Sequence, residues 1–234
     1  MERLDKILSQ CLLISRSQVK KQLKNQSVKV NGKAIRDFDV KIDPENDEIS
    51  VNGEIIGYKK HIYIMMNKPE GIVSATDDPH DRTVIDLLPD GLRRIGLFPC
   101  GRLDKYTTGL VILTNNGQLA HRLLSPGSHA EKEYYFETKY PFSDEDISSL
   151  QNGVDIGGYT TAPCKVTRIT DKSGTIILTE GKYHQIKFMF VAVHNQIRSL
   201  KRIRFAQTEL PDDLPPGSWR FLSEEEQTLL ESHR

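Results

Sequence analysis

The sequence predicts an α+β protein in two parts, a small mixed module over residues 1–58 and a larger domain over residues 59–234. Three observations lead there. Segments with helical and strand periodicity are interspersed, without the strict strand–helix–strand alternation of a doubly wound sheet. Charge is divided by region: residues 1–36 carry nine Lys/Arg against two Asp/Glu, and residues 37–57 carry one against seven, so a +7 stretch followed by a −6 stretch sets off the N-terminal part. A length of 234 residues with 37% hydrophobic content suits one or two domains with real cores.

In the N-terminal part, Leu4, Ile7, Leu8 and Leu12 recur at helical spacing. Ser15-Arg16-Ser17-Gln18 has the form of a capping box, so a second helix follows to about residue 25. On it Val19 and Leu23 share one face, while Arg16, Lys20 and Lys24, at i, i+4 and i+8, share another. Residues 27–35 contain a strand, an Asn31-Gly32 turn and a second strand. Asp43-Pro44-Glu45-Asn46-Asp47 is a loop, and residues 48–51 form a short strand.

The larger domain follows a linker, Tyr58-Lys59-Lys60-His61. Residues 62–66 are apolar and strand-like, and Asn67-Lys68-Pro69-Glu70-Gly71 is a turn. A polar loop over 76–81 precedes a short helix at 83–88. Thr108 begins an apolar strand to Thr114, and Gly117–Leu124 is a helix ended by Ser125-Pro126-Gly127. A strand at 132–137, a helix at 143–150 and two strands around Asp171-Lys172-Ser173-Gly174 come next, and a last helix opens near Thr179 and runs to Val193. No internal repeat is visible.

The net charge is zero, with 32 basic and 32 acidic residues, which by itself argues against nucleic-acid binding. Local patches point the other way, because screening at physiological salt acts over only about 8 Å. The first patch is the N-terminal one, and residues 182–204 form a second, with six Lys/Arg and no acid. No apolar run approaches membrane-spanning length, and the N-terminus lacks the layout of a signal peptide. Cys11, Cys100 and Cys164 are far apart, form no metal-ligand cluster and cannot all pair, so a reduced, cytoplasmic setting is expected.

Three motifs carry chemistry. Gly101-Arg102-Leu103-Asp104 runs through Tyr106 into Thr107-Thr108-Gly109 and the apolar strand, presenting a carboxylate at a strand entrance with a cation two positions away. Lys132-Glu133-Tyr134 places an aromatic ring on a strand, and Gly181-Lys182-Tyr183-His184-Gln185-Ile186-Lys187 opens a helix with cations. Taken singly these are ordinary: a turn aspartate, a packing tyrosine, an exposed lysine. Together with Asn-Lys-Pro-Glu-Gly at 67–71 and the C-terminal Gly217-Ser218-Trp219-Arg220-Phe221-Leu222, they resemble the pseudouridine synthases of ribosomal RNA, of the small-subunit, RsuA-like type. Tyr106, Phe188 and Ala206 depart from that pattern. Arg3-Leu4-Asp5-Lys6, Ser15-Arg16-Ser17 and Val28-Lys29-Val30-Asn31-Gly32 resemble the small RNA-binding domain named after a small-subunit ribosomal protein.

The resemblance implies an N-terminal RNA-binding domain and a catalytic domain with a mixed, largely antiparallel sheet. It implies Asp104 as nucleophile or base, Tyr134 stacked on the target base, and Lys187 paired with Asp104 to keep it charged. His184 is read as structural or RNA-facing. Arg3, Arg16, Lys20, Lys24, Arg102, Lys182 and Arg202 are the cations expected to meet RNA; the plainer reading of Arg16, Lys20 and Lys24 is a solvated helix face. No cofactor and no metal are expected, since the isomerisation needs neither redox change nor group transfer and no phosphate-binding glycine loop is present. The expected partner is ribosomal RNA or a ribosomal assembly intermediate, with no membrane, and the chain is expected to be a monomer. The alternatives are the same chemistry on large-subunit RNA or transfer RNA, or a non-catalytic RNA-binding or ribosome-assembly protein.

Overall fold

The computed structural model describes residues 1–233. The chain divides into two compact units: Met1–Ile62 together with Ile85–Leu97, and Tyr63–Val84 together with the chain from Phe98 onward.

In the first unit β1 (Glu2–Arg3) leads directly into α1 (Leu4–Leu12). The chain reverses through Leu13, at φ 53°, and Ser15 caps α2 (Arg16–Gln22). The Ser15 hydroxyl accepts from the Gln18 amide at 3.2 Å, and the Gln18 side chain accepts from the Ser15 amide at 2.8 Å, so the capping box forms as the sequence predicts. Strands β2 (Val28–Val30), β3 (Lys33–Ala34), β4 (Lys41–Ile42), β5 (Ile49–Val51) and β6 (Glu54–Ile55) follow, and α3 (Asp90–Arg93) joins from later in the chain. An antiparallel sheet runs in the order β3-β2-β5-β6, while β1 pairs with β4 in a separate ribbon. Leu4, Ile7 and Leu8 of α1 meet Val19, Leu23, Val28, Val30 and Ile49 in a continuous apolar core.

Helix α2 stops at Gln22, three residues short of the predicted end. The Asn52 side chain accepts from the Ser27 amide at 3.1 Å and donates to Gln26, and these bonds draw the following segment toward the turn between β5 and β6. Lys24 therefore lies in a turn, off the helical face that carries Arg16 and Lys20.

The second unit is built on one mixed sheet. Its strands are β7 (Tyr63–Lys68), β8 (Phe98–Cys100), β9 (Thr108–Thr114), β10 (Lys132–Thr138), β11 (Lys165–Arg168), β12 (Ser173–Leu178), β13 (Ile197–Phe205), β14 (Thr208–Glu209) and β15 (Trp219–Phe221). The order is β11-β12-β10-β13-β9-β7-β15, with β14 on β13 and β8 on β9. The pairing of β13 with β9 is parallel and the other ladders are antiparallel, the largely antiparallel arrangement expected. Helices α4 (Gly117–Leu124), α5 (Asp144–Asn152), α6 (Gln185–Ala192) and α7 (Glu224–Ser232) complete the unit. Tyr63, Met65, Leu110, Ile112, Leu123 and Phe205 form one core with Leu222 and Leu230, and Phe136 meets Phe142 and Phe190 at ring separations of 5.6 and 4.7 Å.

The sequence places Asn67 and Lys68 in a turn, but both continue β7 and are buried. Distant backbone makes that tolerable. Asn67 donates to the Leu214 carbonyl at 2.8 Å, and the Lys68 ammonium donates to the carbonyls of Pro69, Ile72 and Lys105 at 3.0, 2.6 and 3.1 Å. The predicted helix at 83–88 is a single 3₁₀ turn, Ile85–Leu87. The helix expected from Thr179 begins only at Gln185, because the left-handed backbone of His184, at φ 49°, cannot continue a helix backwards. No helix of the described residues is long and apolar enough to cross a membrane. The three cysteines are free, and burial pushes each thiol up to about 11, so none is an effective nucleophile at neutral pH.

Candidate active site

Asp104 sits in a short loop between β8 and β9, and that loop is fixed from three directions. The Leu103 amide donates to the Ser74 hydroxyl at 3.1 Å. The Lys105 carbonyl accepts from both the Lys68 ammonium and the Gly71 amide, at 3.1 and 2.9 Å. The Lys105 ammonium pairs with Asp81 at 2.6 Å. The Thr107 amide closes the loop on the Asp104 carbonyl at 3.0 Å. A carboxylate presented on backbone tethered this way keeps its aim without a ligand present.

Its charge partner comes from α6. Lys187 donates to Asp104 Oδ2 at 2.8 Å from 83 positions further along the chain, so the pairing expected from the sequence is made. His184, immediately before the helix, brings Nε2 to 3.6 Å from the same oxygen. The two groups converge on Oδ2 and leave Oδ1 without a hydrogen-bond partner among the described residues. The left-handed conformation of His184 is uncommon outside glycine and enriched for His at functional turns. The Gly-Lys-Tyr-His-Gln-Ile-Lys spacing points only to Lys187, and nothing in it signals that His184 also approaches Asp104.

These groups open on a cavity of about 570 Å³. Tyr134 lines it from β10 and is 9% exposed, whereas its neighbour Tyr135 does not line it and hydrogen-bonds Glu137 at 3.1 Å. The pleat explains the choice, since adjacent strand residues point to opposite faces. Arg102 and Lys182 are exposed at its margin; the Lys182 ammonium lies 4.5 Å from the centre of the Tyr159 ring.

The cavity floor is cationic. Lys132 and Arg202 flank the ring of Phe205 at 5.9 and 5.1 Å. Burial pulls the Lys132 ammonium below its ordinary value, and repulsion from Arg202 adds to the shift. The sequence puts Arg202 in the basic run of residues 182–204, as a cation expected to meet RNA. The structure places it in the floor instead, 1% exposed, with Nε donating to the Leu110 carbonyl at 2.8 Å and Nη2 without a partner. The Thr107 hydroxyl, also lining the cavity, is a second buried group without a partner. Strand geometry separates Arg202 from its basic neighbours. The pleat sends Lys201 to the opposite face, and a register shift that passes over Ile203 leaves Arg204 opposite Glu133, partly exposed. Arg204 is occupied by Glu131 and Glu133 at 3.0 and 2.9 Å.

In the first unit the expected RNA-facing cations are partly engaged. Arg3 pairs with Asp5 at 2.8 Å and with Asp39 at 2.5 Å, and Lys20 reaches the same Asp39 at 2.6 Å. Arg16 and Lys24 are exposed. The Arg3 guanidinium holds the buried Asp5 carboxyl below the usual carboxylate range. Among the described residues, no group of three or more His, Cys, Asp or Glu side chains could hold a metal ion.

A fixed aspartate, a lysine from a distant helix, a tyrosine in the cavity wall and cations in its floor define an enzyme pocket suited to a polyanionic substrate. Residues 62–192 match the family model of RNA pseudouridylate synthases, and residues 2–49 match that of the S4 domain. The chain belongs to the RNA pseudouridylate synthase family. It is 47% identical, over 97% of its length and 98% of the relative's, to an uncharacterized RNA pseudouridine synthase of Bacillus subtilis (strain 168), YtzG. It is 37% identical to the ribosomal small subunit pseudouridine synthase A of Escherichia coli (strain K12), over 96% of this chain and 97% of that one. A crystal structure of a pseudouridylate synthase, 33% identical, matches with a TM-score of 0.70 over 98% of this chain and 100% of the other. The protein is thus an RNA-binding isomerase that converts uridine to pseudouridine.

Proposed function

We propose that the target is one uridine of small-subunit ribosomal RNA, reached in free RNA or in a ribosomal assembly intermediate. In this reading residues 1–58 bind RNA, residues 59–234 perform the chemistry, and the protein acts as a cytoplasmic monomer. The relatives named for the small ribosomal subunit support the target; their similarity extends over both parts of the chain.

The observation that carries the catalytic assignment is the 2.8 Å ion pair between Lys187 and Asp104 Oδ2 at the wall of a cavity that also holds Tyr134. Lys187 holds the carboxylate by Oδ2 and so turns it that Oδ1 faces an incoming nucleotide. Asp104 then acts on that nucleotide as nucleophile or base. The N1–C1′ bond breaks, the uracil turns within the cavity, and a C5–C1′ bond forms. The proton on C5 is lost and N1 gains one, so the reaction is an isomerisation with no net oxidation. Tyr134 offers the ring against which the uracil is held while it is unattached. Stacking of this kind contributes about 1–3 kcal/mol per base. Lys132 and Arg202 supply positive potential for the phosphates that accompany the uridine.

Mapping pseudouridines in ribosomal RNA from cells with and without the gene tests the target. Loss of one site in small-subunit RNA is expected. Loss from large-subunit or transfer RNA instead would reassign the substrate. With purified protein, Asp104→Asn should retain RNA affinity and form no pseudouridine; turnover by that variant would remove Asp104 from the mechanism.

A further inference from the structure

Three aromatic rings gather beside Asp104, and two of them are exposed. His184, 3.6 Å from the carboxylate, is the innermost. The Tyr183 ring stacks on it with centroids 3.9 Å apart and planes at 18°, and Tyr183 is 78% exposed. Phe188 stands one helical turn further on, 6.1 Å from His184 and 42% exposed. The backbone fixes the set. The left-handed turn at His184 presents both rings at the helix start, and the Phe188 amide donates to the His184 carbonyl at 3.1 Å.

Packing does not account for this arrangement. Single exposed apolar side chains need no explanation, but contiguous exposed rings mark a contact surface. A tyrosine stacked flat on a histidine on one side and open on the other already holds its ring in a stacking orientation, so a partner stacking on it costs less entropy. Cations lie nearby: Lys182 precedes Tyr183 and is exposed, residues 182–204 contain no acid, and the Asp104 carboxylate beside His184 is paired with Lys187. A flat π surface among cations suits a nucleobase whose phosphates lie alongside. An apolar protein segment would have no use for the charges.

We propose that Tyr183, backed by His184 and flanked by Phe188, is a stacking platform for an unpaired base next to the uridine in the cavity. The inference rests on the assignment of the Asp104 cavity to the target uridine. Tyr134 receives the base that reacts. Tyr183 receives a neighbour, which fixes the RNA strand at the cavity mouth and makes Tyr183 a positioning residue with a part in choosing the site.

The test uses the full chain, a small-subunit ribosomal RNA transcript as probe, and the variants Y183A, Y183F and Y183W. Y183A should raise KM about tenfold, in line with the loss of one stacked base, with the effect on kcat within about twofold. Y183F should behave as wild type. The added tryptophan of Y183W should lose fluorescence when the transcript binds, beyond any change from Trp219 in the wild-type chain. A wild-type KM in Y183A, or unquenched emission in Y183W at saturating RNA, would overturn the platform. Self-association of the wild-type chain that Y183A abolishes would give the ring to a second copy instead and likewise overturn it. If wild-type protein forms no pseudouridine in this transcript, free small-subunit RNA is not its substrate, and the fluorescence of Y183W still decides whether the platform exists.

Discussion

At the scale of single residues, the site depends on two lysines in opposite situations. Lys187 is partly exposed and spends its charge on Asp104 at 2.8 Å. Lys187→Met should lower turnover by about a hundredfold or more, as expected for loss of a preorganised charge partner, while Lys187→Arg recovers part of it. Steady-state rates on a defined RNA check this, and near-normal turnover by the Met variant would dissolve the pair's role. Lys68 is fully buried, and its ammonium contacts three carbonyls, one of them on the loop of Asp104. Burial pulls it from the ordinary 10.5 to about 8, against the attraction of Asp104 and Glu70. Below about pH 8 the folded and unfolded chains both hold the proton, and the burial penalty stands in full. Between about 8 and 10.5 the unfolded chain holds more protons, so this group's contribution to stability rises with pH. The Tm difference between wild type and Lys68→Met should therefore move in favour of wild type from about pH 7 to about pH 10. A difference that stays flat across that range would contradict the buried charge.

At the scale of elements, the parallel junction of β9 and β13 is a tight point beside the site. Gly109 pairs with Arg202 across it, with φ +100°, and a Cβ there would lie 2.2 Å from the Arg202 carbonyl oxygen. Gly109→Ala should cost more than about 2 kcal/mol, from steric conflict and a disallowed φ together. Denaturant melts measure that cost, and a loss below about 1 kcal/mol would mean that the strands can separate freely. Local signals made many elements legible. The Ser15 and Gln18 pattern marked the start of α2, the apolar run marked β9, and Asn31-Gly32 marked its hairpin. The elements that escaped depend on partners far along the chain. Asn67 and Lys68 look like turn residues until Leu214, Ile72 and Lys105 supply carbonyls for them. The motifs likewise singled out Asp104, Tyr134 and Lys187, which the structure brings to one cavity. They could not show His184 closing on the same carboxylate, because that contact is made by a backbone turn with φ 49° and not by any residue pattern.

At the scale of the whole molecule, the N-terminal charge and the cavity fall in different units. The +7 of residues 1–36 belongs to the S4-type unit, and the cavity belongs to the other. Neutralising Arg16, Lys20 and Lys24 together should weaken RNA binding and flatten the slope of log affinity against log salt by roughly two to three units if all three meet phosphate. Because Lys20 already pairs with Asp39 at 2.6 Å, a value at the lower end is expected. Turnover with saturating RNA should change little, and an unaltered salt slope would return these residues to a solvated face. The strand order of the second unit carries a consequence in time as well as in space, since β13 is made after β9, β10 and β12 yet inserts between β9 and β10. A ribosome therefore releases two half-sheets first, β7 with β9 and β10 with β12 and β11, each holding an unpaired edge where β13 will go. Such edges invite pairing with other chains until they are filled. Lys187 follows Asp104 by 83 residues, so the carboxylate has no cation until α6 has emerged and the cavity no Arg202 until β13 has. A molecule whose Asp104 pair and cavity floor are both in place is, by this order of assembly, one whose sheet has already closed.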